Sequence, residues 1–367
     1  MTIPPESSLR LAREAVAALP HFGSEPPDCA IDLGDNTNLW GAPPAALRVL
    51  RESPSDALSR YPSLYSEPLH AAMLRYVGLE GAAGVGIVTG CGSDDVLDST
   101  MRAFGAPGDR IAFSSPTFSM IPVLARLNGL EPVTIPLAHS YDVDAERLVD
   151  LDAKITYLCA PNNPTGTCVS RAAVEYVVSN ARGIVLLDEA YAEFAPEVFC
   201  DLVARNERLI VARTFSKAFG LAGLRVGYGV GARSVTRLVE RARGPYKVGR
   251  LAERAVLSVL DDTPDGVQWV RAHAALAIVN RERLSGALRQ LGLEALPSGA
   301  NFVLVAHARA HESARLLRAS GVVVRSFGEL PAEIPAFARS GGTALRIGVG
   351  PWEMMEPLLD RLGTLLA

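Results

Sequence analysis

Lysine is almost absent from this chain. Only Lys154, Lys217 and Lys247 occur among 367 residues, and the other 33 of the 36 basic residues are arginines. Cysteine is scarce as well. There are five, an odd number, with no pair at C-x-x-C spacing, which argues against a disulfide framework and against a zinc ribbon. The six histidines contain no H-E-x-x-H, and no metal site is expected. No apolar run is long enough to span a bilayer, and "MTIPPESSLR" lacks a basic region leading into an apolar one. Neither a membrane span nor a signal peptide is therefore expected, and the cytosol is the expected compartment. Neither sign of charge dominates: the net charge of −4 argues against a general binder of nucleic acid or anionic membrane. There are no internal repeats and no low-complexity tracts. No Walker loop is present, and no strand leads into G-x-G-x-x-G with an acidic residue downstream, which argues against a nicotinamide dehydrogenase.

What is present is a globular chain with enough material for a substantial core. Apolar residues make up 49% and charged residues 21%. The length predicts one large and one smaller domain. Residues 1–40, broken by "IPPESS" and "SEPPDC", read as an irregular arm. From about residue 66 short apolar runs alternate with amphipathic ones. "GVGIVTGCG", "RIAFSSP", "EPVTIPL", "ITYLCAP", "GIVLLDEAY" and "RLIVARTFS" read as strands; "EPLHAAMLRYVGL", "DDVLDSTMRAFG", "SMIPVLARLNG" and "SRAAVEYVVSNA" read as helices, the last N-capped by Ser170. This alternation predicts an α/β fold with a mainly parallel sheet between helices. After Tyr246 the rhythm changes to one long helical region at about 249–293, then "NFVLVA", a helix, "VVVRSF", "ALRIGVG" and a last helix. The predicted division is an arm at 1–40, a large domain at 41–247 and a small α+β domain at 248–367.

Ligands in such sheets bind beyond the carboxyl ends of the strands, where the chemically suggestive residues collect. Lys217 follows "RLIVARTF" and has apolar neighbours. An amine can lose its proton and attack a carbonyl, which a guanidinium cannot do, and partial burial favours the neutral amine. Thr214, Ser216 and Arg225 flank it and suit a phosphate. "GCGSDD" (90–95) joins a strand to a helix whose first N–H groups can hold an anion. "APNNPTGT" (160–167) aims the Asn163 amide from a strand end. Asp188 ends an apolar strand, where a carboxylate requires a cationic or N–H partner. Arg346 sits in the apolar "TALRIGVG". Each has a plainer reading when taken alone: a surface lysine, an ordinary glycine turn, a β-turn, a helix-capping aspartate and a satisfied structural arginine.

Taken in order, "GCGSDDVLDSTMRAF", "PTFSM", "APNNPTGT", "LLDEAY", "SKAFGLAGLRVGY", "RGPYKVGRLAERAVLSVL" and "LRIGVG" resemble the pyridoxal-phosphate-dependent aminotransferases of class I/II, fold type I, over about residues 30–350. Within that family the resemblance is to the histidinol-phosphate aminotransferase branch. It implies a pyridoxal 5'-phosphate cofactor bound by the large domain on a mainly parallel seven-stranded sheet. Lys217 would be the Schiff-base lysine and proton carrier, and Asp188 would pair with the pyridine nitrogen. Asn163 and Tyr191 would face the ring hydroxyl, and Phe118 would stack on the ring. Gly92, Ser93, Asp94, Thr214, Ser216 and Arg225 would hold the phosphate. Tyr61, from "SRYP", would reach the phosphate of a neighbouring subunit, which implies a homodimer with shared active sites. Arg346, with Arg325, Asn36 and Lys247, would face the substrate.

The implied reaction is ping-pong transfer of an amino group from histidinol phosphate to a 2-oxo acid, 2-oxoglutarate, in amino-acid (histidine) biosynthesis. Departures from the branch fall on the substrate side: Thr37 in "GDNTNLWG", where a glutamate is usual, His21 and Phe22 in the arm, Trp40 and Lys247. An aromatic or specialised amino-acid aminotransferase, or a decarboxylase of a phosphorylated amino acid, therefore stays open. A non-catalytic cofactor sensor is disfavoured, since the residues before the motifs are too few and too proline-broken for a DNA-binding domain.

Overall fold

The computed structural model describes residues 11–19 and 29–366; His21 and Phe22 lie outside the described residues. The strands in chain order are β1 (Ile31–Asp32), β2 (Val85–Cys91), β3 (Arg110–Ser115), β4 (Glu131–Pro136), β5 (Ile155–Cys159), β6 (Ile184–Asp188) and β7 (Leu209–Thr214). Then follow β8 (Val226–Ala232), β9 (Glu294–Ala295), β10 (Phe302–Ala306), β11 (Val322–Val323), β12 (Arg325–Phe327) and β13 (Ala344–Gly348). Seven of them form one sheet in the order β2-β8-β7-β6-β5-β3-β4. The pairs among β3 to β7 are parallel, while β8 runs antiparallel to both of its neighbours.

Side-chain alternation explains why β5 to β7 are buried throughout and mainly apolar, with Thr156, Asp188, Arg213 and Thr214 as the polar exceptions. Ile184 and Leu186 of β6, with Ile210 and Ala212 of β7, enter the core under helix Ser93–Phe104. Val185 and Leu187, with Leu209 and Val211, enter the core on the other face. A strand covered on both faces cannot alternate apolar with polar residues. A third core lies under the four-stranded sheet β12-β13-β10-β9 and joins Leu33, Leu284, Leu345 and Met355. β1 pairs with β11, so residues 31–33 of the expected arm pack against the C-terminal part of the chain.

β8 was not among the expected strands. "VGYGVGA" is rich in glycine, which weakens strand propensity. Its glycines serve close approach instead: a Cβ on Gly227 would collide with Gly92 and Ser93, and one on Gly229 would press on Val96. Helix Ser93–Phe104 can therefore lie directly on the sheet with its N-terminus at the carboxyl edge of β7. Two further expectations are corrected. The helical region at 249–293 is two helices, Arg250–Leu260 and Val267–Gln290, separated by "DDTPDG" with its Pro264. "VVVRSF" divides between two sheets, as β11 and β12.

Candidate active site

A cavity of about 190 Å³ opens at the carboxyl edge of the large sheet. Asp188 from the end of β6, Thr214 from β7 and Ser216 and Lys217 just beyond it line one side. Ser93 and Asp94 come from the start of helix Ser93–Phe104, and Phe118, Asn163, Tyr191 and Arg225 from loops at the same edge. Asn36 and Arg346 close the cavity from the region of the small sheet.

Lys217 Nζ donates to the Asp35 carbonyl oxygen at 2.9 Å and stands 5.9 Å from the centre of the Tyr191 ring. It has no carboxylate ion-pair partner among the described residues. Burial, with Arg346 adding to it, lowers its pKa from 10.5 to about 8, against the opposing pull of Asp35 and Asp94.

Asp188 is 4% exposed. One carboxylate oxygen accepts from the Tyr157 hydroxyl at 3.0 Å and the other from Ala190 N at 3.0 Å. Burial raises its pKa to about 7, and those two donors hold it below where burial alone would put it. The Tyr157 contact follows from strand parity. Cys159 is registered opposite Asp188, so Tyr157, two residues back, lies diagonally across on the same face. Asp188 therefore lines the cavity with no cationic partner among the described residues.

The edge that could hold an anion is built on the turn Gly90–Gly92 and the loop after β7. Gly92 is the N-cap residue at φ 82°, and a Cβ there would meet Arg225 Nη2 at 2.6 Å. Arg225 has left-handed backbone (φ 53°). Its guanidinium lies 3.4 Å from Ser216 Oγ and 3.5 Å from Asp94 Oδ2. Thr214 Oγ1 donates to Ser216 Oγ at 3.0 Å. The Arg225 contacts are long for charge-assisted bonds and leave its guanidinium loosely engaged beside the hydroxyls and the first helical N–H groups, where one anion could be met.

Arg346, 8% exposed, donates to Gly34 O at 2.6 Å and Asn163 Oδ1 at 2.7 Å, between the Phe302 and Phe327 rings. Its Nε is buried with no partner, and it pairs with no carboxylate among the described residues. Burial lowers its pKa. Asn36 Nδ2 donates to the Tyr191 hydroxyl at 3.1 Å, and burial raises the Tyr191 pKa to about 12.

Four sequence-predicted residues do not line this cavity: Gly92, which caps the helix at its edge, and Tyr61, Arg325 and Lys247. Tyr61 is 76% exposed and stacks on Tyr246, ring centres 4.8 Å apart. Arg325 is exposed, although its Cα is registered opposite Arg346 across β12 and β13. Lys247 Nζ is held by Asp95 Oδ1 at 2.8 Å. Conversely, Asp35, Cys159 and Ala190 line the cavity and Tyr157 supports it, none of them singled out from the sequence. Within the wholly buried "ITYLC" nothing sets Tyr157 and Cys159 apart from core residues, and Asp35 bonds Lys217 through its backbone oxygen, which no residue type announces.

Residues 29–362 match the family described as aminotransferase class I and II. The chain belongs to this family. As a class I/II aminotransferase it is an enzyme, and its cofactor is pyridoxal 5'-phosphate. It is 38% identical to the histidinol-phosphate aminotransferase of Roseiflexus castenholzii over 92% of this chain and 90% of that one. It is 34% identical to that of Methanosarcina mazei, over 91% and 87%. The crystal structure of histidinol-phosphate aminotransferase from Sinorhizobium meliloti, in complex with pyridoxal-5'-phosphate, superposes with a TM-score of 0.79 at 25% identity, covering 92% of this chain and 91% of that one. Aspartate aminotransferase from Thermus thermophilus, solved with maleate, shares the fold at a TM-score of 0.78 and 21% identity. Among the described residues no helix is long and apolar enough to cross a membrane.

The cavity fits the aminotransferase cofactor on its own chemistry. It offers one amine of lowered pKa for the aldehyde, one buried carboxylate without a cation for the ring nitrogen, and a loosely engaged guanidinium beside hydroxyls and helical N–H groups for the phosphate. Two predictions follow from this aminotransferase site. Capture of pyridoxal phosphate by cofactor-free enzyme requires the neutral amine, so its rate should rise with pH through about 8 rather than near 10.5. Stopped-flow absorbance at several pH values checks this, and a rise centred near 10.5 would show that burial does not tune Lys217. Tyr157→Phe removes a hydrogen bond to a charged acceptor, worth about 1.5–3 kcal/mol. It should lower kcat at least about tenfold with little change in KM, and steady-state kinetics below the variant's melting range would establish that split.

Proposed function

We propose that this aminotransferase transfers the amino group of histidinol phosphate to 2-oxoglutarate by a ping-pong route, with both substrates using one anion site. The observation that carries the reading is Arg346, a buried guanidinium with an unpaired Nε and no carboxylate partner among the described residues. A buried cation in that state calls for an anion. The donor's phosphate in one half-reaction and the acceptor's carboxylate in the other would each supply it. The names of the relatives at 34% and 38% identity support the same donor.

When bound, pyridoxal phosphate supplies an aldehyde for the donor's amine and a ring that draws electrons from the donor's reacting carbon. The chain's own groups do the rest. Lys217, whose neutral amine is favoured by burial, would take the proton from that carbon as general base and give it back as general acid. Asp188 would hold the ring nitrogen protonated, positioned by Tyr157 and Ala190. Arg346 fixes the Asn163 amide by its oxygen, which leaves the nitrogen to donate to the ring hydroxyl, with Tyr191 beside it. Phe118 would cover the ring face, and Gly92, Ser93, Asp94, Thr214, Ser216 and Arg225 would hold the cofactor's phosphate. Tyr61, exposed and stacked on Tyr246, would reach the cavity of a second copy in a homodimer. We place the enzyme in the cytoplasm and in histidine biosynthesis on the same reading.

The test is steady-state kcat/KM for histidinol phosphate, histidinol and phenylalanine with 2-oxoglutarate as acceptor. Histidinol phosphate should exceed both others by about 100-fold or more, the worth of one charge-assisted anion contact. Preference for phenylalanine would assign Arg346 to an amino-acid carboxylate. Release of carbon dioxide from a phosphorylated amino acid would replace transamination with decarboxylation.

A further inference from the structure

Lys247 stands outside the cavity, yet its amine is committed. It lies 2.8 Å from Asp95 Oδ1, and the two side chains are 30% and 10% exposed. The other oxygen of Asp95 accepts from Cys91 N at 2.9 Å. Cys91 precedes Gly92, the N-cap residue of helix Ser93–Phe104. Gly90 lies against the same carboxylate: a Cβ there would meet Asp95 Oδ2 at 3.0 Å. One amine thus secures, through one carboxylate, the turn that presents the first N–H groups of the helix. The lysine arrives from the loop of Tyr246, whose backbone is left-handed (φ 56°) and whose ring stacks on Tyr61.

The charges at this helix start make the contact consequential. Asp94 and Asp95 are adjacent in its first turn. Carboxylates favour a helix N-terminus by themselves, but beside a bound phosphate they repel it. Asp94 is turned to Arg225 at 3.5 Å. Asp95 has only Lys247 as an ion-pair partner among the described residues.

We propose that Lys247 is a positioning residue for the phosphate cup, keeping Asp95 folded back on the Cys91 N–H and neutralised, so that preference for the phosphorylated cofactor over pyridoxal depends on it. The inference rests on the placement of the cofactor's phosphate at Gly92–Asp94, Ser216 and Arg225. The test titrates cofactor-free enzyme with pyridoxal phosphate and, separately, with pyridoxal, following absorbance. It uses the wild type, Lys247→Met and the double variant Asp95→Asn/Lys247→Met. The wild type should bind pyridoxal phosphate far more tightly than pyridoxal. Lys247→Met should weaken pyridoxal phosphate about five- to tenfold, the scale of one partly screened charge interaction, and leave pyridoxal unchanged. The double variant should recover most of the loss, because an asparagine oxygen still accepts from Cys91 N without carrying charge. Equal weakening of both ligands, no weakening, or a double variant no better than the single one would overturn the proposal. So would an unchanged cofactor affinity with a raised KM for the phosphorylated donor, which would make Lys247 a substrate contact. A wild type that binds both ligands equally would instead overturn the cup on which the proposal rests.

Discussion

Lys217→Arg should reduce transamination by at least about 10,000-fold while the protein still folds and still binds pyridoxal phosphate. General acid–base help alone contributes about 10²–10⁴, and the variant also loses the amine that joins the cofactor. Arginine keeps the positive charge beside Asp35 and Asp94, so the electrostatics of the cavity change little. What disappears is a group that can be neutral near pH 8. Borohydride treatment followed by mass spectrometry should attach the cofactor mass to the wild type at Lys217 and leave the variant unlabelled. Appreciable turnover by the variant, or label at Lys154 or Lys247, would move the chemistry elsewhere. The chain's sparing use of lysine makes this assay unusually clean, with one alternative site at each of two known positions.

Arg346→Gln carries the second large effect. The guanidinium is buried between two phenylalanines and holds Gly34 and Asn163, but faces the cavity without a counter-ion. Removing one partner of a buried charge contact costs about 2–5 kcal/mol. The variant should therefore lose about 30- to 5,000-fold in kcat/KM, and Arg346→Lys should be nearly as poor, because an ammonium cannot bridge Gly34, Asn163 and an anion in one plane. The loss should appear in both half-reactions, measured separately with the amino donor and with the oxo acid. A defect confined to one of them would mean that donor and acceptor do not share the guanidinium.

The large sheet was legible because strands buried on both faces read as short, mainly apolar runs, and β5, β6 and β7 are of that kind. β8 was not, because its glycines answer to the helix lying on it rather than to strand propensity. The break at "DDTPDG" and the division of "VVVRSF" between two sheets are tertiary outcomes that periodicity alone does not encode. In the site, residues whose side chains act at strand ends were readable: Asp188, Asn163, Thr214 and Lys217 stand where an α/β sheet binds ligands. Tyr157 was hidden because a buried tyrosine reads as core until its partner across the sheet is known. The pairing of Lys247 with Asp95 was not readable because the two lie 152 residues apart. Asp35 contributes a backbone oxygen, and no side chain marks that.

The most direct measurement is a single half-reaction. Cofactor-loaded enzyme is mixed with histidinol phosphate in the absence of any oxo acid, and the visible absorbance of the cofactor is followed while product is counted. The account predicts rapid loss of the band with one equivalent of oxo product per site, no carbon dioxide, and full recovery of the band when 2-oxoglutarate is added. An unchanged band with histidinol phosphate, or a band lost only with phenylalanine, would contradict it.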